Sequence, residues 1–258
     1  MEVTNIAWKK NLSKRCNHPL IPKGIRELII GKSGCGKTTL LINLLLRLGW
    51  LDYNNKNIFG ESLFQPEYHI LKKAFEEKLP KEVIIRLFEN KNEITDLDIS
   101  PISVAEEMAK DIRDKSDLEC KFYESAEDVS DPRELSSQKK NVMVFDDLLL
   151  EKQNTCESYY VRGRYSNVDC FYLAQNYFKL PRQPIRENAT FICLFPQDLK
   201  NLNHIFDDDV GSDMTKEEVR QLYKTSWKKQ QEFVIIDLSS KKHDGKYRSG
   251  LDEFYTLN

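Results

Sequence analysis

The chain has 258 residues and a mass of 30.3 kDa, so one α/β domain with a sizeable hydrophobic core is the simplest organisation. Its net charge is −2 at pH 7, which excludes a surface that is basic throughout, so any contact with nucleic acid must be local. No Cys-x-x-Cys pair occurs, the longest apolar run spans residues 40–46, and the N-terminal segment lacks the apolar core of a signal peptide. We therefore expect reduced thiols, no membrane span and no secretion.

The first predicted elements enclose a phosphate-binding pattern. Residues 26–30 (RELII) predict a buried strand, and residues 37–48 predict a helix that is apolar nearly all round, as expected for a helix packed against a sheet. The segment that joins them fits the pattern Gly-x-x-x-x-Gly-Lys-[Ser/Thr] and continues into the helix. It consists of Gly31, Lys32, Ser33, Gly34, Cys35, Gly36, Lys37, Thr38 and Thr39. These residues are predicted to bind the phosphates of ATP.

The residue types in this loop suit a triphosphate. Its glycines allow backbone conformations that are closed to residues with a Cβ, so that successive N–H groups point at β- and γ-phosphate oxygens beside a helix N-terminus. Lys37 neutralises phosphate charge in such loops, and the hydroxyl of Thr38 is placed to coordinate Mg²⁺. The alternative is a glycine-rich turn that binds nothing, which the strand before the loop and the helix after it disfavour.

The next stretch predicts further α/β units and then an acidic insertion. Residues 56–60 predict a second strand, a helix follows from Pro66, and residues 82–88 predict another strand. Residues 92–137 hold fourteen Asp or Glu against five Lys or Arg, with one expected helix over 101–113. This segment is interpreted as an acidic insertion on the surface, either a solvated excursion or a regulatory or partner-binding element.

The buried-strand pattern returns three times after the insertion, in residues 141–147, 168–175 and 189–195. Thr215 and Glu218 have the spacing of a capping box at the start of a late helix, and residues 232–238 predict a last strand. Strands that alternate with helical stretches indicate a mainly parallel sheet with crossovers. The predicted fold is a three-layer α/β phosphate-loop domain that spans residues 1–258.

Two carboxylates follow the apolar residues of the strand over 141–147. In sheets of this class, ligands bind at the carboxyl ends of the strands, which is where Asp146 and Asp147 stand. Asp146 is predicted to hold Mg²⁺ through water. Asp147 is predicted to polarise the attacking water, a role that the longer glutamate fills more often. The alternative is that both aspartates cap the segment that follows.

Polar side chains near the next strands are candidates for contact with phosphate. Gln175 ends a strand beside that of Asp146, so its amide is expected near the γ-phosphate, with loop capping as the alternative. Arg162 and Arg164 precede this strand, from where a guanidinium can reach phosphate of a neighbouring subunit or of nucleic acid. Arg186 belongs to a polar and basic loop before the next strand. For each arginine taken singly, the alternative is a solvated surface residue.

Four segments carry a resemblance to a known group of proteins. They are LIIGKSGCGKTTLL, VMVFDDLL, VRGRYSNVDCFYLAQNYFKLPRQPIRENATFICLF and KYRSGLD. Together they resemble the genome-packaging ATPases of large DNA viruses of the poxvirus kind, of virophages and of self-synthesising DNA transposons. That group belongs to the FtsK–HerA superfamily of DNA pumps. The resemblance covers about residues 26–252 and is most specific between Arg162 and Lys179.

The resemblance implies a role for each candidate site residue. It makes Lys37 the phosphate residue, Thr38 a Mg²⁺ residue, Asp146 the Walker B aspartate, Asp147 the catalytic acid and Gln175 the sensor of hydrolysis. Arg164 and Arg186 become candidates for an arginine finger. In this class, the strand that ends at Gln175 is inserted between the strand before Lys37 and the strand of Asp146.

The function expected from these observations is ATP hydrolysis coupled to movement of double-stranded DNA into a capsid. The expected partners are double-stranded DNA bound without sequence preference, further copies of the chain in a ring, and a capsid protein. The expected location is the host cytoplasm or nucleus, at assembling virions. Two alternatives stay open, a small-molecule phosphotransferase with the insertion as its lid and a nucleotide-dependent scaffold without catalysis.

Overall fold

The computed structural model of the chain describes residues 17–46, 50–61, 63–77, 79, 83–84, 119–228 and 231–255. The expected helix over 101–113 and the acidic insertion as far as residue 118 lie outside the described residues, as does the expected end of the first helix. Of the expected strand over 82–88, only Val83 and Ile84 are described, and their backbone is helical.

The described residues form nine strands and five α-helices. The strands are β1 (Arg26–Ile30), β2 (Asn55–Gly60), β3 (Glu119–Tyr123), β4 (Asn141–Asp146), β5 (Val168–Ala174), β6 (Phe191–Leu194), β7 (Val234–Asp237), β8 (Tyr247–Ser249) and β9 (Glu253–Phe254). The helices are α1 (Lys37–Leu46), α2 (Pro66–Glu76), α3 (Asn154–Arg162), α4 (Leu199–Ile205) and α5 (Lys216–Ser226). A π-helix, Phe206–Val210, continues α4. None of these helices is long and apolar enough to cross a membrane.

All nine described strands form one sheet in the order β3-β2-β4-β5-β1-β6-β7-β8-β9. The six strands from β3 to β6 in this order are parallel, whereas β7, β8 and β9 each run antiparallel to the neighbour before them. We call the edge where the parallel strands end the carboxyl edge, and the opposite edge the amino edge. Strand β5 lies between β1 and β4, which confirms the expected position of the strand that ends at Gln175.

Helices cover both faces of the sheet. Leu41 of α1 and Leu71 of α2 are buried against Phe171 on one face. On the other face, Tyr160 of α3 and Leu222 of α5 are buried in a second apolar cluster. The central strands therefore have no solvent-facing side, which is why their sequences are almost continuously apolar. The three-layer α/β architecture predicted from the sequence is confirmed.

Residues 119–123, which their composition assigns to the acidic insertion, form β3 in the structure. They pair in parallel with β2 and are exposed or half-buried because β3 is the edge strand. An edge strand has solvent on one side, so it does not need the apolar run by which the central strands are recognised. The acidic excursion therefore ends before residue 119.

The capping box predicted for the late helix is present at the start of α5. The hydroxyl of Thr215 accepts the backbone N–H of Glu218 at 3.2 Å, and the carboxylate of Glu218 accepts the backbone N–H of Thr215 at 2.6 Å. Two N–H groups that the helix cannot satisfy internally are thus bonded, which stabilises the helix start by about 1 kcal/mol.

Candidate active site

The predicted phosphate loop joins β1 to α1 at the carboxyl edge. Gly34 and Gly36 have φ angles of +74° and +104°, in a region that residues with a Cβ rarely adopt. Gly31 has no room for a Cβ, which would lie 2.8 Å from the Cβ of Phe195. Gly34 and Gly36 are therefore required by the backbone conformation, and Gly31 is required by its close packing against Phe195.

The side chain of Lys37 is held inside the loop. The residues of the loop that are exposed are Lys32, Ser33, Gly34 and Thr39, and those that are buried are Gly31, Cys35 and Lys37. The ammonium group of Lys37 donates to the carbonyl oxygen of Gly31 at 2.7 Å and to that of Lys32 at 3.1 Å. These two bonds keep a positive charge beside the N-terminus of α1, where an anion is favoured.

Thr38 and Asp146 come from different elements and meet beside the loop. The hydroxyl of Thr38 donates to Oδ2 of Asp146 at 3.5 Å, and the hydroxyl of Tyr68 donates to the same oxygen at 2.6 Å. Asp146 is 4% exposed, and this burial raises the pKa of its carboxyl, although the bond from Tyr68 and the charge of Lys37 act in the opposite direction. The role of Tyr68 is hidden in the sequence, where it occupies an apolar position of the α2 pattern.

The two predicted metal residues fit Mg²⁺. This ion prefers hard oxygen ligands and is commonly held by one or two carboxylates together with water and phosphate oxygens. Asp146 forms no ion pair with any described residue. A divalent cation beside it would stabilise the charged form that burial disfavours. The carboxylate of Asp146 and the hydroxyl of Thr38 are therefore suited to hold the metal of a Mg·ATP complex.

Asp147 and Gln175 meet at the ends of β4 and β5. Asp147 has a φ of +57°, in the left-handed region, and its N–H donates to the carbonyl oxygen of Leu173 at 3.0 Å. The amide of Gln175 donates to Oδ2 of Asp147 at 2.8 Å. A left-handed backbone at a residue with a Cβ costs roughly 1–3 kcal/mol, and such residues cluster at functional sites, although Asp and Asn also adopt it in turns, as Asn167 does here. The structure thus joins the predicted catalytic acid to the predicted sensor.

A cavity of about 370 Å³ opens in front of this pair. Its polar lining includes Lys32 of the loop, Asp147, Gln175, Lys179 and Glu61. The sequence pattern does not single out Glu61, although it directly follows β2, which ends at the same edge beside β4. Partial burial and the neighbouring carboxylates of Glu151 and Asp147 raise the pKa of Glu61. The site therefore contains one more carboxylate than the sequence pattern indicates.

Arg164 lies at the amino edge, away from the phosphate loop of its own chain. It belongs to a 3₁₀ turn before β5 and lies near Gly24, which precedes β1, since a Cβ added to Gly24 would lie 4.0 Å from Cγ of Arg164. The five residues of β1, about 16 Å of strand, separate Gly24 from the start of the loop. Arg164 is exposed and is therefore directed toward solvent or a neighbouring molecule, not toward its own nucleotide site.

Arg186 is engaged within its own chain. Its guanidinium donates to the carboxylate of Asp208 and lies 5.0 Å from the ring centre of Tyr177. The side chain is only 11% exposed. Arg164, in contrast, forms no ion pair with a described residue. Of the two arginine-finger candidates, only Arg186 would therefore have to break an ion pair, that with Asp208, to reach another subunit.

Comparison with known proteins gives matches among solved structures. No protein-family model and no curated protein matches the chain. The genome-packaging NTPase B204 of Sulfolobus turreted icosahedral virus 2, in complex with AMPPCP, is similar with a TM-score of 0.50 and 12% identity over 86% of this chain and 96% of that one. The DNA-packaging ATPase B204 of Sulfolobus turreted icosahedral virus has a TM-score of 0.49 and 14% identity over 84% and 94%. VirB4 of Thermoanaerobacter pseudethanolicus has a TM-score of 0.47 and 13% identity over 83% and 87%.

The first of these similarities supports the fold. With a TM-score of 0.50 over nearly the whole of both chains, it agrees with the α/β phosphate-loop architecture seen here. Genome-packaging ATPases, the group that the sequence resembles, are thus among the solved structures that share this architecture. A shared fold does not assign a function, which has to be argued from the site.

Proposed function

We propose that this chain is an ATPase that moves double-stranded DNA and packages a viral or virus-like genome into a capsid. One observation carries the proposal: two pairs of groups converge at the carboxyl edge, Thr38 with Asp146 and Asp147 with Gln175. The first pair suits a metal-bound triphosphate, and the second suits the activation of water, which a turn that merely binds phosphate does not need. The fold shared with B204, a genome-packaging NTPase, supports the direction of the proposal.

Each of the proposed site residues has a separate role in the hydrolysis of ATP. The loop N–H groups and Lys37 bind the β- and γ-phosphates, and Thr38 and Asp146 hold Mg²⁺, which when bound neutralises phosphate charge. Water attacks the γ-phosphorus, and the bond to the β-phosphate oxygen breaks. Asp147 accepts the proton of this water, and the amide of Gln175 keeps the carboxylate of Asp147 in place.

Double-stranded DNA is the proposed substrate of the movement. Contacts to DNA phosphates provide affinity without sequence preference, which a packaging motor requires. A net charge of −2 is compatible with this if basic side chains gather on one surface. Further copies of the chain in a ring and a capsid protein are the other proposed partners, at assembling virions in the host cytoplasm or nucleus.

The proposal is tested by the rate of ATP hydrolysis with and without double-stranded DNA, at several salt concentrations, together with the native mass of the protein. We expect DNA of any sequence to increase the rate, and the increase to fade steeply as salt rises because counterion release drives phosphate contacts. Lys37→Ala is the control without turnover, since the phosphates lose their closest cation in a buried site.

Three outcomes would contradict the proposal. Turnover that depends on a small-molecule acceptor and ignores DNA would indicate a phosphotransferase. ATP binding without turnover, with or without DNA, would indicate a scaffold. Stimulation by one DNA sequence only would indicate a site-specific DNA protein.

A further inference from the structure

An exposed aromatic ring flanked by lysines adjoins the nucleotide cavity. It consists of Phe178, Lys179 and Lys200, which we call the aromatic-lysine surface. Phe178 is 43% exposed, yet its ring stacks on that of His204 with 4.8 Å between the ring centres and 15° between the planes. The ammonium group of Lys200 lies 4.7 Å from the same ring centre. The ring is therefore held in a fixed orientation at the surface.

The lysines of this surface carry positive charge that the described part of the chain does not neutralise. Lys179 and Lys200 are exposed, and neither forms an ion pair with a described residue. The carboxylate of Asp198 caps α4, where it accepts the N–H of Asn201 at 2.9 Å, and it forms no ion pair with either lysine. Two cations are thus presented to solvent in a chain whose net charge is −2.

We infer that the aromatic-lysine surface binds the sugar-phosphate backbone of double-stranded DNA. Ammonium groups are compact point charges that pair with phosphates, and the aromatic ring against which Lys200 lies offers an apolar contact to the deoxyribose. This inference rests on the proposed function and deepens it by naming the residues that hold the DNA. It also shows how a chain without overall positive charge obtains the local basic surface that phosphate binding requires.

The position of this surface links DNA binding to ATP hydrolysis. Phe178 follows the predicted sensor Gln175 by three residues in the same loop. The N–H of Phe178 donates to Oδ1 of Asn176 at 3.1 Å and to Oδ1 of Asn201 at 3.4 Å, which fastens the loop to α4. A displacement of Gln175 on loss of the γ-phosphate would therefore move both Phe178 and the helix that carries Lys200. A DNA contact here would respond to hydrolysis in the same subunit.

A second copy of the chain is the other candidate occupant of this region. Leu150 and Leu199, at the same edge of the sheet, are 91% and 68% exposed. The cores of protein interfaces are depleted in lysine, however, and the aromatic-lysine surface has two exposed lysines without an ion pair among the described residues. The positive charge of the surface therefore favours a polyanion as its occupant. The experiment also measures oligomer formation, which would indicate a second copy of the chain instead.

The experiment compares Lys200→Glu and Phe178→Ala with the control Lys121→Glu, which reverses an exposed charge on β3 at the far end of the sheet. Affinity for duplex DNA of mixed sequence is measured against salt, alongside the ATPase rate without DNA and the native mass. We expect Lys200→Glu to weaken duplex binding about 10-fold or more and to lower the salt slope by about 1. We expect Phe178→Ala to weaken binding by about 3- to 10-fold, with the ATPase rate without DNA and the native mass unchanged.

The outcomes separate this inference from the proposed function. If the wild-type protein binds DNA and both variants bind it like Lys121→Glu, the inference fails and the proposed function stands. If the wild-type protein neither binds DNA nor is stimulated by it, the proposed function fails as well. A change in native mass in the variants would assign the surface to a second copy, and tighter binding of single strands than of duplex would overturn the assignment to duplex DNA.

Discussion

Two adjacent aspartates at the end of β4 occupy different environments. Asp146 is buried and receives hydrogen bonds from two hydroxyl groups, those of Tyr68 and Thr38. Asp147 follows in a left-handed conformation and faces the cavity, where the amide of Gln175 donates to it. Strand β4 ends at Asp146, and the left-handed turn at Asp147 places the two acids in different surroundings, so one pair of neighbouring acids can serve a metal and a water molecule at the same time.

Asp147→Asn is expected to separate binding from catalysis. The amide keeps the size of the side chain but cannot accept the proton of the attacking water, so hydrolysis should fall by about 10²- to 10⁴-fold while Mg·ATP still binds. Asp146→Asn should also weaken the metal site, so that ATP binding needs more Mg²⁺, since it removes the charged oxygen that holds the metal. ATP affinity at several Mg²⁺ concentrations and single-turnover hydrolysis distinguish the two variants.

Glu61→Gln provides the matched control for this prediction. Glu61 lines the same cavity and is the other carboxylate from which proton transfer could proceed. We expect a smaller loss of hydrolysis than for Asp147→Asn, because Asp147, and not Glu61, accepts a hydrogen bond from Gln175, the predicted sensor. A larger loss for Glu61→Gln would transfer the role of general base to Glu61.

Glu27 is a buried acid in the central strand β1. It is 1% exposed, and its carboxyl oxygens have no hydrogen-bond partner among the described residues. Burial raises its pKa from an ordinary 4.5 to about 8, so the folded protein holds a proton that the unfolded chain releases. The stability contributed by this proton is fully present below about pH 4.5 and is lost as the pH rises through 8.

Glu27→Gln is therefore expected to make the free energy of unfolding less dependent on pH. Between pH 4.5 and about pH 8, the free energy of unfolding of the wild-type protein should fall, relative to that of the variant, by up to about 1.4 kcal/mol per pH unit. Urea unfolding at a series of pH values measures the difference, and Glu134→Gln, at an exposed position, is the control. Parallel pH curves for wild type and Glu27→Gln would show that Glu27 is ionised in the folded protein.

At the scale of elements, the sequence predicts the strands that are covered by helices on both faces of the sheet. Strands β1, β4, β5 and β6 are detected because helices on both faces of the sheet require continuous apolar runs. Strand β3 escapes detection because one of its sides is open to solvent. Helices α3 and α4 are also missed, since α4 has only seven residues and α3 is too polar for an apolar stripe to stand out.

The phosphate loop contains glycines that are needed for two different reasons, close packing at Gly31 and a positive φ angle at Gly34. A Cβ at Gly31 would meet the side chains of Cys35 and Phe195, whereas a Cβ at Gly34 would meet nothing within 4 Å. Gly34→Ala should thus cost only the strain of its positive φ, about 1–2 kcal/mol. Gly31→Ala should cost more, because the loop has to move away from the core, and should weaken ATP binding further.

Denaturant unfolding and ATP affinity of both variants check this order. The reverse order, with Gly34→Ala the more damaging, would mean that ATP binding depends on backbone conformation at Gly34 more than on the close packing of Gly31. Equal wild-type behaviour of both variants would show that the loop does not need its glycines to bind phosphate.

At the scale of the whole molecule, the site is assembled from elements that are distant in the sequence. Asp146 lies 109 positions after Lys37, and Gln175 lies further along still. They meet the loop after β1 because parallel strands end at one edge. This much follows from the order of motifs along the chain. The contributions of Tyr68 and Glu61 do not follow from it, because a tyrosine in an amphipathic helix and a glutamate after a strand have no pattern that marks them as site residues.

The amino edge presents the one arginine candidate that is free to act on another subunit. Arg164 is exposed there, together with Tyr165, which is 70% exposed. The carboxyl edge holds the proposed nucleotide site. A ring in which the amino edge of each copy faces the carboxyl edge of the next would bring Arg164 to its neighbour's phosphates, since a head-to-tail contact that closes generates a ring. An arginine supplied in this way typically increases the rate by about 10³- to 10⁵-fold.

Mixing two inactive variants tests this arrangement. Lys37→Ala removes the phosphate cation and Arg164→Ala removes the finger, so each protein alone should lack ATPase activity. In mixed assemblies, an Arg164→Ala subunit with intact Lys37 can face a Lys37→Ala subunit with intact Arg164, which rebuilds one complete site and restores part of the rate. Arg186→Ala is the matched variant: because Arg186 is bound to Asp208 of its own chain, mixing it with Lys37→Ala should add no activity beyond that of Arg186→Ala alone. Native mass spectrometry establishes that subunits have mixed; mixed assemblies without activity would exclude Arg164 as a finger acting between subunits.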